Sequence, residues 1–164
     1  MNKGASVMAK STLIAEPEKQ EIIMTRVFDA PRDLVFKVMT DPKHIPQWWG
    51  KRDHTTIVNK MDARPGGQWH YVERTSEGSE YGFFGVYHAV VSPQRLVYTY
   101  EFDGMSGHVG LVTVTFEEEG SKTKLTETSL FPSVEDRDAV IQSGMEEGAN
   151  ETYDRFDELL VTLK

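Results

Sequence analysis

The stretch Asp62-Ala63-Arg64-Pro65-Gly66-Gly67-Gln68-Trp69-His70-Tyr71 joins a tight turn to a strand. Pro65 fixes the φ that the second position of a type II turn requires, and Gly66 can adopt the positive φ of the third position. Side chains alternate along the strand after the turn, so Trp69 and Tyr71 lie on the same face. Two aromatic rings on one face, each with a single polar atom, suit either a ligand cavity or an ordinary core.

The composition excludes several classes of protein. The chain has 164 residues, which is enough for one domain with a sizeable core. It carries 26 acidic and 18 basic residues, and the resulting net charge of −8 argues against nucleic-acid binding. Because there is no cysteine, disulfides, thiol nucleophiles and cysteine-ligated metals are excluded. No apolar run reaches the roughly 20 residues of a membrane-spanning helix. The first 19 residues lack the apolar core of a signal peptide, so we expect a cytoplasmic protein without membrane insertion.

Hydrophobic alternation and turn residues divide the chain into elements. We expect residues 1–19 to be a flexible extension and residues 20–164 to be a single domain. A strand at 21–28 precedes two short helices, the second of which runs toward Trp48 and Trp49. Short turns between the later strands favour an antiparallel meander. These later strands are predicted at 55–61, 68–75, 80–91, 95–102, 109–117 and 122–129.

The C-terminal segment changes to a helical period. Ser133 and the acids that follow it suit a helix start. From Ile141 to Leu163, apolar and small residues recur at spacings of three and four, which predicts a long helix. Gly144 and Gly148 fall within this pattern, where each costs about 1 kcal/mol relative to alanine. Either the helix packs tightly on the sheet, or it leaves room for another molecule.

Seven short motifs occur in a fixed order between residues 20 and 162. They are Phe28-Asp29-Ala30-Pro31, Thr40-Asp41-Pro42, Trp48-Trp49-Gly50, the turn at 62–69, Gly85-x-Tyr87, Pro93-x-Arg95-Leu96 and Met145-Glu146-Glu147-Gly148. Their series resembles the START-like (polyketide-cyclase, SRPBCC) superfamily, in particular the bacterial branch related to the C-terminal domain of the activator of Hsp90 ATPase. The resemblance implies an α+β helix-grip fold in β-α-α-β6-α order, with a curved antiparallel sheet wrapped around a long C-terminal helix.

The resemblance also implies a ligand cavity between the sheet and that helix. It places two tryptophans at the mouth, Trp48 and Trp49. It assigns the sheet wall to Trp69, Tyr71, Phe84, Tyr87, Tyr98 and Tyr100, and the helix wall to Met145, Ala149, Thr152 and Phe156. Phe84 and Tyr87 lie on opposite faces of their strand, so at most one of them points inward. Each ring either contacts the ligand or fills the core.

Acid–base catalysis requires a buried carboxylate or histidine that faces the cavity. Glu73 shares a face with Trp69 and is the first candidate, ahead of Glu127, His70 and His88. The alternative, which we expect, is that Glu73 lies in water at the open end of its strand.

No metal or cofactor is expected. The five histidines, which are His44, His54, His70, His88 and His108, lack the spacing of metal ligands, and no phosphate-binding loop occurs.

Arg64 in the turn has two interpretations. It either holds an anionic group of the ligand at the rim of the cavity, or it pairs with a neighbouring acid such as Asp62. We expect the pairing, which stabilises the turn.

Three functions follow from the sequence and the resemblance. We expect a carrier or sensor that binds a hydrophobic or aromatic small molecule. The alternatives are an acid–base enzyme of the cyclase or dehydratase type acting on a hydrophobic substrate, and a protein-binding module like a co-chaperone. A monomer or a homodimer fits each of them, and a protein partner stays open.

Overall fold

An eight-stranded antiparallel sheet forms the frame of the fold. The structure is a computed structural model that describes residues 11–164. In spatial order the strands run β1-β2-β8-β7-β6-β5-β4-β3. The elements along the chain are β1 (Thr12–Ile14), β2 (Glu21–Phe28), α1 (Arg32–Thr40), α2 (Ile45–Trp48), β3 (Thr55–Met61), β4 (Gln68–Arg74), β5 (Glu80–Val91), β6 (Arg95–Phe102), a 3₁₀ turn (Asp103–Met105), β7 (Gly110–Glu119), β8 (Lys122–Leu130), α3 (Val134–Gln142) and α4 (Met145–Leu163). The predicted α+β helix-grip fold is confirmed.

All seven predicted strands are present within one or two residues of their expected ends, and one strand is added. Thr12–Ile14 pairs with the edge of β2, where Thr12 lies opposite Thr25 and Ile14 opposite Ile23. These three residues fall within the segment predicted to be a flexible extension, so that prediction is wrong for them. Two of the three, Thr12 and Ile14, are β-branched, which suits a strand. Residues 1–10, the rest of the predicted extension, lie outside the described residues.

The C-terminal helix is divided in two, which corrects the prediction of one continuous helix. Ser133 caps α3, since its hydroxyl accepts a hydrogen bond of 3.0 Å from the backbone N–H of Asp136. Gly144 then adopts a φ of +88°, a left-handed conformation that ends α3 and starts α4 in a new direction. The long C-terminal helix that lies across the sheet is therefore α4, which has 19 residues.

The turn before β4 forms as predicted. Gly66 has a φ of +85°, and the N–H of Gly67 donates to the carbonyl of Arg64 at 2.8 Å. Two further hydrogen bonds of 2.8 Å join Gly66 and Gly67 to Tyr87 of β5. The turn thereby fixes the position of β4 beside β5, and with it the direction of the aromatic side chains.

Helix α4 lies across the concave face of the sheet and is held there by core packing and a buried ion pair. Phe156 is fully buried against Phe28, with ring centroids 4.9 Å apart. The Arg26 side chain, 1% exposed, places Nη2 at 2.8 Å from Asp154 and 2.6 Å from Asp157. The close backbone neighbours of α4 are α1, α2 and α3 rather than any strand. Within residues 11–164, no helix is both long and apolar enough to cross a membrane.

Candidate ligand-binding site

The concave face of the sheet carries a continuous group of aromatic rings. Strand pairing brings Tyr98 opposite Tyr87, and the Trp69 ring packs against Tyr71, Tyr98 and Tyr100 with centroid distances of 4.9, 5.9 and 5.8 Å. Phe83 extends the group, with its ring centroid 5.8 Å from that of Tyr100. Strand pairing thus brings these predicted wall residues onto one face of the sheet: Trp69, Tyr71, Tyr87, Tyr98 and Tyr100.

A glycine opposite Trp69 makes room for the indole ring. A Cβ atom on Gly85 would lie 1.8 Å from the carbonyl oxygen of Thr99 and 2.7 Å from Nε1 of Trp69. The indole N–H donates to that same carbonyl at 3.1 Å. Trp69 is consequently 3% exposed, and its ring packs against those of Tyr71, Tyr98 and Tyr100.

The aromatic residues of the central strands are incompletely covered by the helix. Tyr98 and Tyr100 face inward from β6, with strands on both sides of it, yet both remain only half-buried. Phe83 on β5 and Ala149 on α4 are also only partly buried where they meet the core. Part of the surface of these side chains thus stays accessible on the concave face.

A hydrogen-bonded carboxyl group lies at the centre of this concave face. Glu127 occupies the middle of β8, opposite Met24 of β2 and Val114 of β7. Its Oε1 accepts a hydrogen bond of 2.7 Å from the hydroxyl of Tyr153 on α4. Burial raises the pKa of the Glu127 carboxyl, and the hydrogen bond from Tyr153 opposes that shift.

Tyr98, Tyr100 and Tyr153 share the concave face with this carboxyl group, and Tyr153 contacts it directly. Burial, together with the negative charge of Glu127, raises the pKa of both Tyr98 and Tyr153. The pKa of Tyr100 is raised by burial and by the charges of Glu73 and Glu127. These three hydroxyls therefore stay protonated at neutral pH and act as hydrogen-bond donors or acceptors.

A second pair of hydroxyls lies further along the face. Burial raises the pKa of Tyr87 to about 12, and a hydrogen bond with Tyr71 opposes that shift. The pKa of Tyr71 is raised by burial and by this neighbour. This wall therefore consists of aromatic rings, and the tyrosine hydroxyls add polar groups to it.

Trp49 and the loop after it form one end of the site. The Trp49 ring packs edge-on against Tyr71 and Phe83, each at a centroid distance of 5.2 Å. The loop is tied to α4, because Nη1 of Arg155 donates to the carbonyl of Gly50 at 2.8 Å. Trp49 therefore lies at one end of the aromatic face, and its role at a cavity mouth stays a prediction.

Glu73 lies under this loop rather than in water, which corrects our expectation. Its side chain is 12% exposed, and Oε2 lies 2.7 Å from Nδ1 of His54. The same oxygen accepts a hydrogen bond of 3.0 Å from the backbone N–H of Lys51. The loop folds over the open end of β4 and covers the carboxylate, which the sequence pattern of β4 alone does not indicate. Glu73 therefore serves to fix the loop.

Five of the predicted ligand contacts are buried core residues: Trp69, Tyr71 and Tyr87 of the sheet, which are 3–5% exposed, and Trp48 and Phe156, which pack away from the aromatic face. Trp48 is 5% exposed, stacks on Tyr153 with a centroid distance of 6.4 Å, and donates its indole N–H to the carbonyl of Val38 at 3.2 Å. Trp48 is the last residue of α2 and packs against α1 and α4, so it does not lie at the mouth of a cavity. Phe156 has no exposed surface and packs against Trp48 and Phe28.

Phe84 is on the wrong side of the sheet for a wall residue. It pairs with His70 of β4, and the two rings meet on the convex face at 6.4 Å. Since Tyr87 faces inward, the parity of the strand directs Phe84 outward. His70 shares that convex face and His88 is exposed, so neither histidine reaches the concave face.

The residues predicted to line the helix side of the cavity lie in different environments. Ala149 packs against the core, and the hydroxyl of Thr152 donates to the carbonyl of Gly50 at 3.4 Å. Met145 lines a separate open groove of 740 Å³ between α4, α3 and Leu13 of β1. Most other groove residues on α4 are acidic, and none of the aromatic residues of the concave face lines it.

Arg64 forms the pairing that we expected. Its Nε lies 2.8 Å from Oδ2 of Asp62, and both side chains are exposed. The ion pair stabilises the turn and lies outside the aromatic face.

Three residues that the sequence reading missed complete the site: Phe83, His54 and Tyr153. Phe83 was open to prediction, since it is two residues from Gly85 on the same strand face. Tyr153 lies four residues after Ala149 and three before Phe156, so the helical period itself places it inward. We assigned the neighbouring residue, Thr152, to the inward-facing side of the helix and therefore missed Tyr153. His54 comes from a loop, and no periodic signal marks it.

Comparisons with known proteins agree with this architecture. The family model described as "Activator of Hsp90 ATPase homolog 1-like protein" matches residues 29–161. No curated protein sequence is significantly similar to the chain.

Solved structures from several bacteria share the fold. A Staphylococcus epidermidis protein is 29% identical, with a TM-score of 0.79 over 91% of this chain and 94% of its own. Protein Ms6760 from Mycobacterium smegmatis is 25% identical, with a TM-score of 0.82 over 92% and 96%. A Rhodobacter sphaeroides protein is 24% identical, with a TM-score of 0.86 over 93% and 99%. With the family model matching most of its length, the chain belongs to the Activator of Hsp90 ATPase homolog 1-like family, within the START-like (SRPBCC) superfamily.

Proposed function

We propose that this protein is a carrier or sensor that binds a hydrophobic or aromatic small molecule between the sheet and α4. Membership of the family suggests a ligand-binding or polyketide-cyclase-like role. The observation that carries the finer proposal is the set of inward-facing rings, Phe83, Tyr98 and Tyr100, that α4 leaves half-buried. A site lined by aromatic side chains with a few convergent polar groups is typical of small-molecule binding.

The energetics of the aromatic face support a ligand there. Aromatic side chains each bury roughly 150–250 Å² when fully covered. Apolar area removed from water contributes about 25 cal/mol per Å². A planar apolar molecule placed against Tyr98 and Tyr100 would cover the surface that the protein leaves accessible. Binding would therefore bury apolar surface that stays accessible after folding, and it would gain the corresponding hydrophobic free energy.

An acid–base enzyme is the second candidate, favoured by Glu127. A general acid or base needs a titratable group beside the bound molecule, with a pKa shifted toward neutrality. Glu127 is buried, its pKa is raised, and it lies among the tyrosines of the concave face. It replaces Glu73 as the candidate catalytic residue, because Glu73 is engaged by the loop at Lys51 and His54.

Native mass spectrometry of freshly purified protein, with an added aromatic probe, tests the proposal. We expect the wild-type chain to retain a copurified small molecule or to bind 2-naphthol. Ala149→Trp, which fills the space beside α4, should abolish that uptake. Ala139→Trp is the matched control, since Ala139 is exposed on α3 and the same substitution there should leave binding unchanged.

Two outcomes would contradict the proposal. One is a folded Ala149→Trp variant that binds as well as the wild type, which would place the ligand elsewhere. The other is a wild-type chain that carries no small molecule and binds no aromatic probe. The predictions of a cytoplasmic location, of a monomer or homodimer, and of an absent metal or cofactor stay predictions, and a protein partner stays possible.

A further inference from the structure

We propose that Glu127 binds the ligand by accepting a hydrogen bond, so that the ligand is an aromatic or otherwise apolar molecule with a hydroxyl or amino donor. The inference rests on the proposed function, and it adds the chemical class of the ligand. It assigns Glu127 as the residue that orients the molecule and Tyr153 as the residue that positions Glu127.

The hydrogen bonding of Glu127 leaves one oxygen available. Oε1 accepts from the Tyr153 hydroxyl at 2.7 Å. The other oxygen, Oε2, has no hydrogen-bond partner among residues 11–164, and it is not among the fully enclosed side-chain atoms. Because the hydroxyl of Tyr153 fixes the carboxylate from the helix side, Oε2 is held in one orientation. Oε2 is therefore an accessible acceptor on the concave face, and a donor on a ligand would bind it in place of water.

The charges around Glu127 favour a neutral or cationic donor over an anionic ligand. A bound carboxylate would be repelled by Glu127. The nearest buried cation, Arg26, does not offset this repulsion, because its Nη2 is engaged by Asp154 and Asp157. The remaining guanidinium nitrogens of Arg26, Nε and Nη1, are enclosed by protein, so a ligand oxygen does not reach them. Fatty acids and other apolar carboxylates are therefore disfavoured.

The aromatic surroundings define the rest of the molecule. Tyr98 and Tyr100 lie on β6 and share the concave face with Glu127 of β8; on the intervening strand β7, Val112 pairs with Tyr98 and Val114 with Glu127. A flat ligand that rests against these two rings can direct its donor toward β8, where Glu127 lies. Sites built to hydrogen-bond one ligand group discriminate strongly against analogues that lack it. The structure thus predicts selectivity for the donor within a series of equal apolar size.

Isothermal titration calorimetry with three naphthalene derivatives tests this selectivity. The probes are naphthalene, 2-naphthol, which adds one donor, and 2-naphthoate, which adds one negative charge. We expect the wild-type protein to bind 2-naphthol at least tenfold more tightly than naphthalene, and 2-naphthoate most weakly. Glu127→Gln, which replaces the free carboxylate oxygen by an amide, should reduce the preference for 2-naphthol to less than threefold and improve the binding of 2-naphthoate.

Two further variants separate the roles of the residues. Tyr153→Phe keeps the carboxylate but removes the hydroxyl that orients it, so it should weaken 2-naphthol binding and leave naphthalene binding nearly unchanged. Glu117→Gln is the matched control, because it removes the same charge from an exposed position on β7. It should behave as the wild type with all three probes.

The outcomes distinguish failure of this inference from failure of the proposed function. Equal affinity of the wild type for naphthalene and 2-naphthol would overturn the role of Glu127 and keep the aromatic site. Full retention of the preference by Glu127→Gln would have the same meaning. If the variant does not fold, the comparison of the three probes on the wild type decides alone. No binding of any probe would overturn both proposals.

Discussion

Glu127 should make the stability of the protein depend on pH in a defined direction. Burial raises the pKa of its carboxyl above the ordinary value of 4.5. A group with a raised native pKa contributes stability that is fully present below its unfolded pKa and is lost as the pH rises through the native pKa. Glu127→Gln removes this loss, so the free energy of unfolding of the variant minus that of the wild type should increase between pH 4 and pH 7.

Urea denaturation at several pH values measures this difference. The tyrosines that share the concave face with Glu127 do not titrate in that range, because the pKa values of Tyr98, Tyr100 and Tyr153 are raised. Titrations elsewhere in the chain occur in both proteins and cancel in the difference. Parallel stability curves for the two proteins would show that Glu127 ionises as it does in water.

Single side chains also show how far the sequence predicts a site. Strand alternation placed Trp69 with Tyr71 and Tyr98 with Tyr100, each pair on one face of its own strand, because the period of two does not depend on the rest of the fold. Alternation within β5 puts Phe84 and Tyr87 on opposite faces but does not show which of them points toward α4. The pairing of β5 with β4 shows that Phe84 points away from α4. Orientation relative to a partner element is tertiary information, and one strand does not contain it.

At the scale of elements, the glycines of the C-terminal segment have two different roles. Gly144 has a φ of +88°, whereas Gly148 lies inside α4 and a Cβ atom there would have no other atom within 4 Å. Gly148→Ala should therefore stabilise the protein by about 1 kcal/mol, since alanine is the better helix former. That corresponds to an increase in Tm of about 2–4 °C for a chain of this size.

Gly144→Ala is the matched comparison for that prediction. It places a Cβ on a left-handed backbone, which costs roughly 1–2 kcal/mol, and it should lower Tm. Thermal unfolding followed by circular dichroism compares the two variants. A decrease in Tm for Gly148→Ala would mean that the small residue at 148 is needed for close packing, as one of our interpretations of the sequence supposed.

Within residues 11–164, seven of the eight strands could be predicted from the sequence, but β1 and the break between the two C-terminal helices could not. The seven strands follow from alternation and from turn residues, such as Pro65 and Gly66, that end one strand and begin the next. The helical period continues through Gly144 without a change of phase, and so it predicts one helix. Glycine is compatible with both a helix interior and a left-handed break, and only the packing of α3 and α4 decides between them. The same limit explains why the loop that covers Glu73 was not expected.

At the scale of the whole molecule, the proposed site exists only when the chain is folded. Its residues come from the loop at Trp49, from strands β4, β5, β6 and β8, and from Tyr153 on α4. More than a hundred positions in the sequence separate Trp49 from Tyr153, and the sheet brings them onto one face. A ligand that contacts the sheet and α4 together therefore binds the native state and has no equivalent site in the unfolded chain.

Selective binding to the native state predicts a rise in thermal stability with ligand concentration. At a free concentration 100 times its Kd, 2-naphthol should add about 2.7 kcal/mol to the free energy of unfolding. For a chain of this length that free energy corresponds to an increase in Tm of about 5–10 °C. Differential scanning calorimetry at increasing 2-naphthol concentrations measures the shift. Ala149→Trp should show no shift, because the indole occupies the site, whereas Ala139→Trp should respond as the wild type does. A rise of equal size in both variants would place the binding site away from α4, and the absence of any rise in the wild type would contradict native-state binding altogether.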